Sequence, residues 1–296
     1  MRTRGLMRPF FLLGVLAALT LVLLAACGDD DEKTAATKSP AATVAPTAAK
    51  IDISNVPELA DGKLLVGSDI SYPPVEFFEE GTQNPTGLDV DLAGAMGEAL
   101  GVDVEFQSVA LFAGIIGDLD AKRYDIIMSA ISITEERQQK IDLIPYFGPV
   151  GTGILTPTGN PNNFKVLEDL CGMKVSAQAG TYQVDQVTAL NDGACKDNQI
   201  SLTTFPDNPA SVQELKLGRV DAQLADDPVV AYNALQSDGD LEVAATGFEA
   251  AQYGMGVRKD STALKAALEQ ALNQIIDNGE YDDVLEKWGQ EQFAVR

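Results

Sequence analysis

The segment at residues 126–139 reads IIMSAISITEERQQ and combines the residue types that bind a carboxylate. An apolar run ends in the small hydroxyl residues Ser129 and Ser132, and Thr134 then begins a charged helix that carries Arg137 in its first turn. An arginine presents a planar fork to both oxygens of a carboxylate, and hydroxyl and backbone N–H groups complete the shell. The segment predicts an anion site, with a capped surface helix and a solvated arginine as the alternative.

The elements around this segment follow an alternating order. Short apolar runs predict strands over residues 63–67, 102–106, 124–128, 173–177, 200–205, 220–224 and 252–257. Helical periodicity predicts helices over residues 89–100, 181–190, 209–217, 228–235, 261–277 and 280–288. This order indicates an α/β fold with largely parallel sheets. Ligands in such sheets bind beyond the carboxyl ends of the strands, and here those ends carry Ser, Thr, Gly and Asp.

The N-terminal region has the composition of a targeting segment. Three arginines at positions 2, 4 and 8 precede an apolar stretch over residues 10–26. The sequence LAAC at residues 24–27 resembles a bacterial lipobox, which implies that residues 1–26 are a lipoprotein signal peptide and that Cys27 carries the lipid. A plain secretory signal or a membrane helix is the alternative. Residues 27–50 lack aromatics and are rich in Thr, Ala, Pro and Lys, which predicts a disordered tether.

The charge balance and the absence of histidine exclude several functions. Removal of the three N-terminal arginines lowers Lys+Arg from 21 to 18, which against 44 acidic residues gives a formal charge of −26. That excess opposes binding to nucleic acids and to anionic lipid headgroups. Without histidine the chain has no Ser/His/Asp triad and no histidine metal site. We expect no cofactor and no metal.

Two further cysteines, Cys171 and Cys195, lie in the second half of the chain. Outside the cytoplasm a pair of this kind is expected to form a disulfide, with two buried free thiols as the alternative.

Four motifs in order point to one family. They are GSDISYPP at residues 67–74, GLDVDL at 87–92, SITEERQ at 132–138 and FEAAQYG at 248–254. Together they resemble the family 3 extracellular solute-binding proteins, the polar amino-acid receptors of bacterial ABC importers. The third motif is similar to that of the histidine- and lysine/arginine/ornithine-binding members, and the fourth looks more like the glutamine-binding member.

The resemblance implies a periplasmic-binding-protein type II-like fold. Two α/β lobes would be joined by a two-strand hinge, with the ligand cleft between them. Lobe 1 would comprise residues 51–152 plus 249–296, and lobe 2 would comprise residues 153–248. The chain would cross between the lobes near residues 151–155 and 246–253.

The family's positions for the ligand's α-carboxylate and α-ammonium also carry over. Arg137 would pair with the α-carboxylate, and the strand-end residues Ser129, Ala130 and Ser132 would line the ligand backbone, Ala130 through its own backbone only. Gly180 and Thr181 would donate to the same carboxylate from the start of a helix, where free N–H groups favour an anion. A plain helix cap is the alternative for Thr181.

One acidic position would bind the α-ammonium. Asp226 matches that position, and its neighbour Asp227 is the competing carboxylate or a helix cap before Pro228.

The remaining positions would surround the ligand side chain. Tyr72 and Phe112 match the aromatic pair that sandwiches it, with ordinary core packing as the alternative. Asp69 and Asp89 match acidic positions that face it in basic-residue binders, and Asp89 could instead cap its helix. Gln178 stands where the glutamine-binding member has a lysine, so a strict copy of that specificity is not expected.

The resemblance therefore implies a monomeric, non-enzymatic binding protein. It would be lipid-anchored outside the bacterial cell membrane, capture a polar or basic L-amino acid by cleft closure, and deliver it to an ABC permease with its ATPase subunits. The alternatives are a dehydratase on the same fold and a sensory receptor module, which would be expected to carry further domains beyond Trp288.

Overall fold

The computed structural model describes residues 50–295. The predicted signal peptide, Cys27 and almost all of the predicted tether lie outside the described residues. Within residues 50–295, no helix has the length and apolar character that crossing a bilayer requires.

The helices and strands alternate much as the sequence predicts. The strands are β1 (Lys63–Ser68), β2 (Ser71–Tyr72), β3 (Glu76–Phe78), β4 (Pro85–Thr86), β5 (Asp103–Ser108), β6 (Ile126–Ile127), β7 (Asp142–Pro157), β8 (Lys174–Gln178), β9 (Ser201–Phe205), β10 (Ala222–Asp226) and β11 (Leu241–Val257). The α-helices are α1 (Leu88–Leu100), α2 (Ile115–Asp120), α3 (Glu135–Lys140), α4 (Tyr182–Asp192), α5 (Asn208–Lys216), α6 (Asp227–Leu235), α7 (Thr262–Asn278) and α8 (Glu280–Trp288). Short 3-10 turns lie at Pro57–Leu59, Phe112–Gly114, Leu167–Leu170 and Glu291–Phe293.

The main sheet has eight strands in the order β5-β1-β6-β11-β7-β10-β8-β9, and β2, β3 and β4 form a small antiparallel sheet beside it. The outer pairs on both flanks are parallel, as predicted. The centre is different, because β11 runs antiparallel to both β6 and β7, and β7 runs antiparallel to β10. The long strands β7 and β11 therefore connect two flanks that are each a parallel α/β unit.

Helix α7 illustrates how the apolar spacing builds the core. Leu264, Leu268, Leu272 and Ile275 recur at helical intervals and are all buried. This face packs on α1, which in turn contacts α8. A second apolar cluster fills the other flank, around β8 and Leu224 of β10.

The predicted disulfide is confirmed. Cys171 and Cys195 are joined, with their Cα atoms 5.1 Å apart. The bridge closes a loop that contains β8 and α4.

Candidate functional site

A small, partly open cavity with about 20 Å³ of free space lies where the two flanks of the sheet face each other. Ten of the twelve positions predicted from the sequence line it. The full lining is Asp69, Tyr72, Glu76, Phe112, Ser129, Ala130, Ser132, Arg137, Gln178, Thr181, Tyr182, Gln183 and Asp226.

Arg137 is positioned by a capped helix start. Thr134 is the N-cap of α3, and its Oγ1 accepts from the backbone N–H of Arg137 at 3.3 Å. The guanidinium donates from Nη1 to the carbonyl of Ser132 at 2.8 Å and from Nη2 to the carbonyl of Gly180 at 3.1 Å. It also lies 5.8 Å from the centre of the Phe112 ring. With 9% exposure, the side chain is a buried cation held between the flanks.

Asp89 lies outside the cavity lining, contrary to the prediction. Its Oδ2 accepts from the backbone N–H of Ala130 at 3.0 Å, and the Tyr146 hydroxyl donates to both carboxylate oxygens at 2.8 Å. Ala130 has a φ of +46°, a strained conformation for a non-glycine residue, so this bond supports the turn between the two serines of the site. Nor does Asp89 cap its helix, because Gly87 is the N-cap. Burial raises the pKa of Asp89 to about 7.

Glu76 is a lining residue that the sequence reasoning missed. It is 1% exposed, and its Oε1 accepts from the Ser129 hydroxyl at 2.9 Å, which in turn accepts from the backbone N–H of Asp69 at 2.9 Å. Its Oε2 has no hydrogen-bond partner within residues 50–295. Burial raises the pKa of Glu76 well above its usual range, and the nearby Asp89 adds to the effect. An acidic residue inside the apolar run PVEFF at 74–78 is the signal that could have revealed it.

Asp226 occupies the end of β10, as strand-end ligand residues do. Its Oδ2 accepts from the Tyr253 hydroxyl and its Oδ1 from Gln183 Nε2, both at 2.7 Å, while its backbone N–H donates to the Tyr72 hydroxyl at 3.1 Å. Burial raises the pKa of Asp226 to about 6, although the hydrogen bonds that its carboxylate accepts from Tyr253 and Gln183 act to lower it. Gln183 was not predicted, because an amide on a helix face carries no distinctive pattern.

The loop between β8 and α4 completes the cavity. Gln178 Nε2 donates to Asp69 Oδ2, which links the two flanks directly. The Thr181 hydroxyl donates back to the Gln178 carbonyl at 2.8 Å and makes no cap bond to its helix. Gly180 was predicted as a ligand donor, but it is absent from the lining. Its φ is +79°, and a Cβ there would lie 2.6 Å from Ala113 Cα, so only glycine brings the loop this close.

The lining combines one guanidinium with three carboxylates, those of Asp69, Glu76 and Asp226. This set suits a ligand with one anionic group and a surplus of cationic groups, since buried charges require partners of opposite sign. No group of three or more Cys, Asp or Glu side chains between residues 50 and 295 is arranged to hold a metal ion.

Comparison with known proteins identifies the family of the chain. The profile of the family described as bacterial extracellular solute-binding proteins, family 3, matches residues 64–291. The chain belongs to this family. The solute-binding protein is 30% identical over 231 residues to the arginine-binding extracellular protein ArtP of Bacillus subtilis (strain 168), covering 76% of this chain and 86% of the relative. It is 28% identical over 228 residues to the L-cystine-binding protein TcyJ of Escherichia coli (strain K12), covering 77% and 82%.

Solved structures show the same architecture for the solute-binding protein. An ancestral arginine-binding protein bound to arginine superposes with a TM-score of 0.72 at 34% identity, covering 77% of this chain and 98% of the other. The ancestral amino acid-binding protein AncCDT-1, described as a precursor of cyclohexadienyl dehydratase, gives 0.67 at 34% identity, covering 79% and 99%. The fold is thus of the periplasmic-binding-protein type II class, with two α/β lobes.

Proposed function

We propose that the protein is the substrate-binding component of an ABC importer and that it binds an L-amino acid with a cationic side chain. The observation that carries the proposal is the pair Arg137 and Asp226, which line one cavity from opposite flanks of the main sheet. A zwitterion needs such a pair, with a guanidinium for the α-carboxylate and a carboxylate for the α-ammonium.

Each end of the ligand has further partners. The Ser132 hydroxyl lines the cavity with Arg137 and would complete the shell of the α-carboxylate. Thr181 would contribute through its backbone N–H, because its hydroxyl already donates to the Gln178 carbonyl. The α-ammonium would share Asp226 with Tyr253 and Gln183, which already hold that carboxylate in place. Asp226 must be ionised for this contact, which the ligand's positive charge favours.

The side-chain end supports a cationic ligand. Glu76 offers a buried oxygen without a partner in the described chain. The Asp69 carboxylate, which accepts from Gln178 and Ser71, lines the same cavity. Tyr72 and Phe112 line the same cavity and would flank an extended side chain. A guanidinium or ammonium group there would bond to the free oxygen of Glu76. Several relatives are named as arginine-binding proteins, which agrees with a ligand of this kind.

Capture would occur by closure of the lobes about the strands β7 and β11. We propose residues 51–152 plus 249–296 as lobe 1 and residues 153–248 as lobe 2. Direct bonds between the lobes, such as Gln178 to Asp69, lie at the cavity, so a ligand that adds contacts to both lobes would favour the closed form. The protein would act outside the cell membrane, anchored through Cys27, and present the closed form to its permease.

A thermal-shift screen tests the ligand class, because a bound ligand raises the apparent stability. The screen would contain the twenty common amino acids with ornithine, citrulline and cystine. We expect the largest increase in Tm with arginine, ornithine or lysine, followed by calorimetric titration of the best ligand. A larger increase with a neutral or acidic amino acid would contradict the cationic assignment.

A second candidate function is that of a dehydratase, since a precursor of such an enzyme is among the similar structures. One observation supports it: Glu76 is buried and its pKa is raised, so its carboxyl group could serve as an acid. Product formation from prephenate or arogenate would favour that candidate over a binding protein. The complete amino-acid constellation of Arg137 and Asp226 favours binding.

A further inference from the structure

Tyr253 of the FEAAQYG motif at residues 248–254 is buried next to the cavity lining. Its side chain is 1% exposed, and its hydroxyl donates to Asp226 Oδ2 at 2.7 Å. Burial raises the pKa of Tyr253 well above its usual range, so the hydroxyl keeps its proton and remains a donor. The ring centroid lies 5.4 Å from that of Phe147, which in turn lies 5.3 Å from that of Phe293. This aromatic packing fixes the position from which the hydroxyl donates.

The backbone of Tyr253 is paired with the segment that holds Arg137. Tyr253 and Ser132 form an antiparallel bridge, and beside it the Gly254 N–H donates to the Ile131 carbonyl at 2.9 Å. The Ser132 carbonyl in turn accepts from Arg137 Nη1 at 2.8 Å. The backbone of Tyr253 is therefore joined, through Ser132, to the proposed carboxylate end of the site.

The glycine that follows Tyr253 permits this close pairing. A Cβ at Gly254 would lie 2.9 Å from Ile133 Cγ1 and 3.0 Å from Leu143 Cβ, so a larger residue would push β11 away from residues 131–133. The consecutive Tyr and Gly of the motif thus have complementary tasks. The glycine lets the strand approach one end of the site, and the tyrosine reaches the other end.

We propose that Tyr253 is a positioning residue that fixes the distance between the two ends of the zwitterion site, with its backbone joined to Ser132 and its hydroxyl to Asp226. The inference rests on the proposed function, in which Arg137 binds the α-carboxylate and Asp226 binds the α-ammonium. Ser132 follows β6, whereas Asp226 ends β10, and β11 and β7 lie between these two strands in the main sheet. Tyr253 belongs to β11 and spans that gap.

Several groups act on the Asp226 carboxylate. Burial raises its pKa to about 6, and the hydrogen bond from Tyr253 is the strongest of those that act to lower it. Gln183 donates to the other oxygen at 2.7 Å and would remain if the tyrosine hydroxyl were removed. Removal of that hydroxyl should therefore raise the pKa further and leave one oxygen without its holding partner. The titratable and charged groups that face Asp226 are Tyr72, Glu76, Arg137, Asp227 and Tyr253.

The test compares Tyr253→Phe with the wild-type protein, because this change removes the hydroxyl and keeps the ring. The matched control is Tyr124→Phe, since Tyr124 is also buried and its hydroxyl donates to the Ile115 carbonyl, outside the cavity lining. Calorimetry measures the affinity for L-arginine and, by competition, for its α-deamino analogue, which keeps the carboxylate and the guanidinium. A third readout needs no ligand: the pKa of Asp226, from NMR of protein isotopically labelled at its aspartate carboxyl groups, with Asp226→Asn identifying the signal.

Tyr253→Phe should weaken L-arginine binding roughly tenfold, the size of one hydrogen bond to a charged group. Its affinity for the α-deamino analogue should stay within about twofold of the wild type, because that ligand has no ammonium for Asp226 to bind. The pKa of Asp226 should rise by at least about one pH unit, since the lost bond favours the charged form. The control should match the wild type in all three readouts.

Equal weakening of both ligands would overturn the inference, because a residue that only supports the packing affects them alike. Wild-type affinity for L-arginine in Tyr253→Phe, or an unchanged pKa of Asp226, would overturn it as well. If the wild-type protein binds neither ligand, the proposed function fails, and the pKa of Asp226 alone then decides whether Tyr253 holds that carboxylate.

Discussion

Replacement of Glu76 by glutamine is the sharpest test of how the cavity selects its ligand. The carboxylate is buried, its Oε1 is engaged by the Ser129 hydroxyl at 2.9 Å, and its Oε2 is the free acceptor. A hydrogen bond between a ligand cation and this oxygen contributes about 1.5–3 kcal/mol. Loss of the charge should therefore weaken L-arginine binding by roughly 10- to 150-fold.

The assay is calorimetric titration with L-arginine and with its neutral analogue L-citrulline at pH 7.5. Citrulline should bind the Glu76→Gln variant and the wild type with similar affinity, because it brings no cation to the free oxygen. Glu58→Gln is the matched control, since the Glu58 carboxylate also accepts from a serine hydroxyl, that of Ser261, but lies outside the cavity lining. The control should leave both affinities unchanged.

The pH dependence follows from the same residue. Burial raises the pKa of Glu76 in the ligand-free protein well above its usual range, whereas a cationic ligand beside it would favour the charged form and lower that pKa. Arginine should bind more tightly as the pH rises towards that pKa, by up to about tenfold per pH unit, with proton release that depends on the ionisation enthalpy of the buffer. Unchanged arginine affinity in the Glu76→Gln variant, or binding without proton release, would refute the reasoning.

Three further predictions test the site and its support. Arg137→Ala should weaken amino-acid binding at least about a hundredfold in calorimetry, because the buried ligand carboxylate would lose its charge partner. The circular dichroism spectrum should stay native-like, and wild-type affinity would show that Arg137 does not bind the carboxylate. The pKa of Asp89 is raised to about 7 in the folded protein, so between about pH 4 and pH 7 the folded state holds a proton that the unfolded state has lost. The free energy of unfolding measured in urea should therefore fall as the pH rises through this range. Asp89→Asn should flatten that slope, and an equal slope would contradict the assignment. Joint replacement of Cys171 and Cys195 by serine should cost about 3 kcal/mol of unfolding free energy in urea; an unchanged midpoint would count against a stabilising bridge.

The helices and most strands could be predicted because their periodicity is strong. Helix α7 begins at Thr262 and ends at Asn278, within one residue of its predicted bounds at both ends. Periodicity did not predict the long strand β7, because its prolines and glycines break the alternating pattern on which strand prediction depends. Only the family resemblance implied a hinge strand there, near residues 151–155. Gly151 of β7 lies directly against Gly247, where the pairing of β7 with β11 shifts register.

The candidate site was predictable in its chemistry and only partly in its geometry. The motif around Arg137 specifies a guanidinium on a capped helix through local residues alone, and the structure places it in the cavity lining. Asp89 was predicted to face the ligand side chain and instead accepts from the backbone N–H of Ala130, whereas Glu76, which was not predicted, lines the cavity. Local sequence cannot distinguish them, because the direction of each side chain depends on packing between distant elements.

By itself, therefore, the sequence determined the acid excess, the lack of histidine, the order of elements and the residue types able to bind a zwitterion. The tertiary structure decided which carboxylates share the cavity, since Asp69, Glu76 and Asp226 come from segments that are separate in the sequence and that the fold brings together. It also placed the two carboxylates of DDP in different surroundings, with Asp226 in the cavity lining and Asp227 against the backbone of Gly247 in β11. The physical reason is that adjacent side chains at a strand-to-helix junction point in different directions, so a single step along the chain separates the cavity from the strand β11.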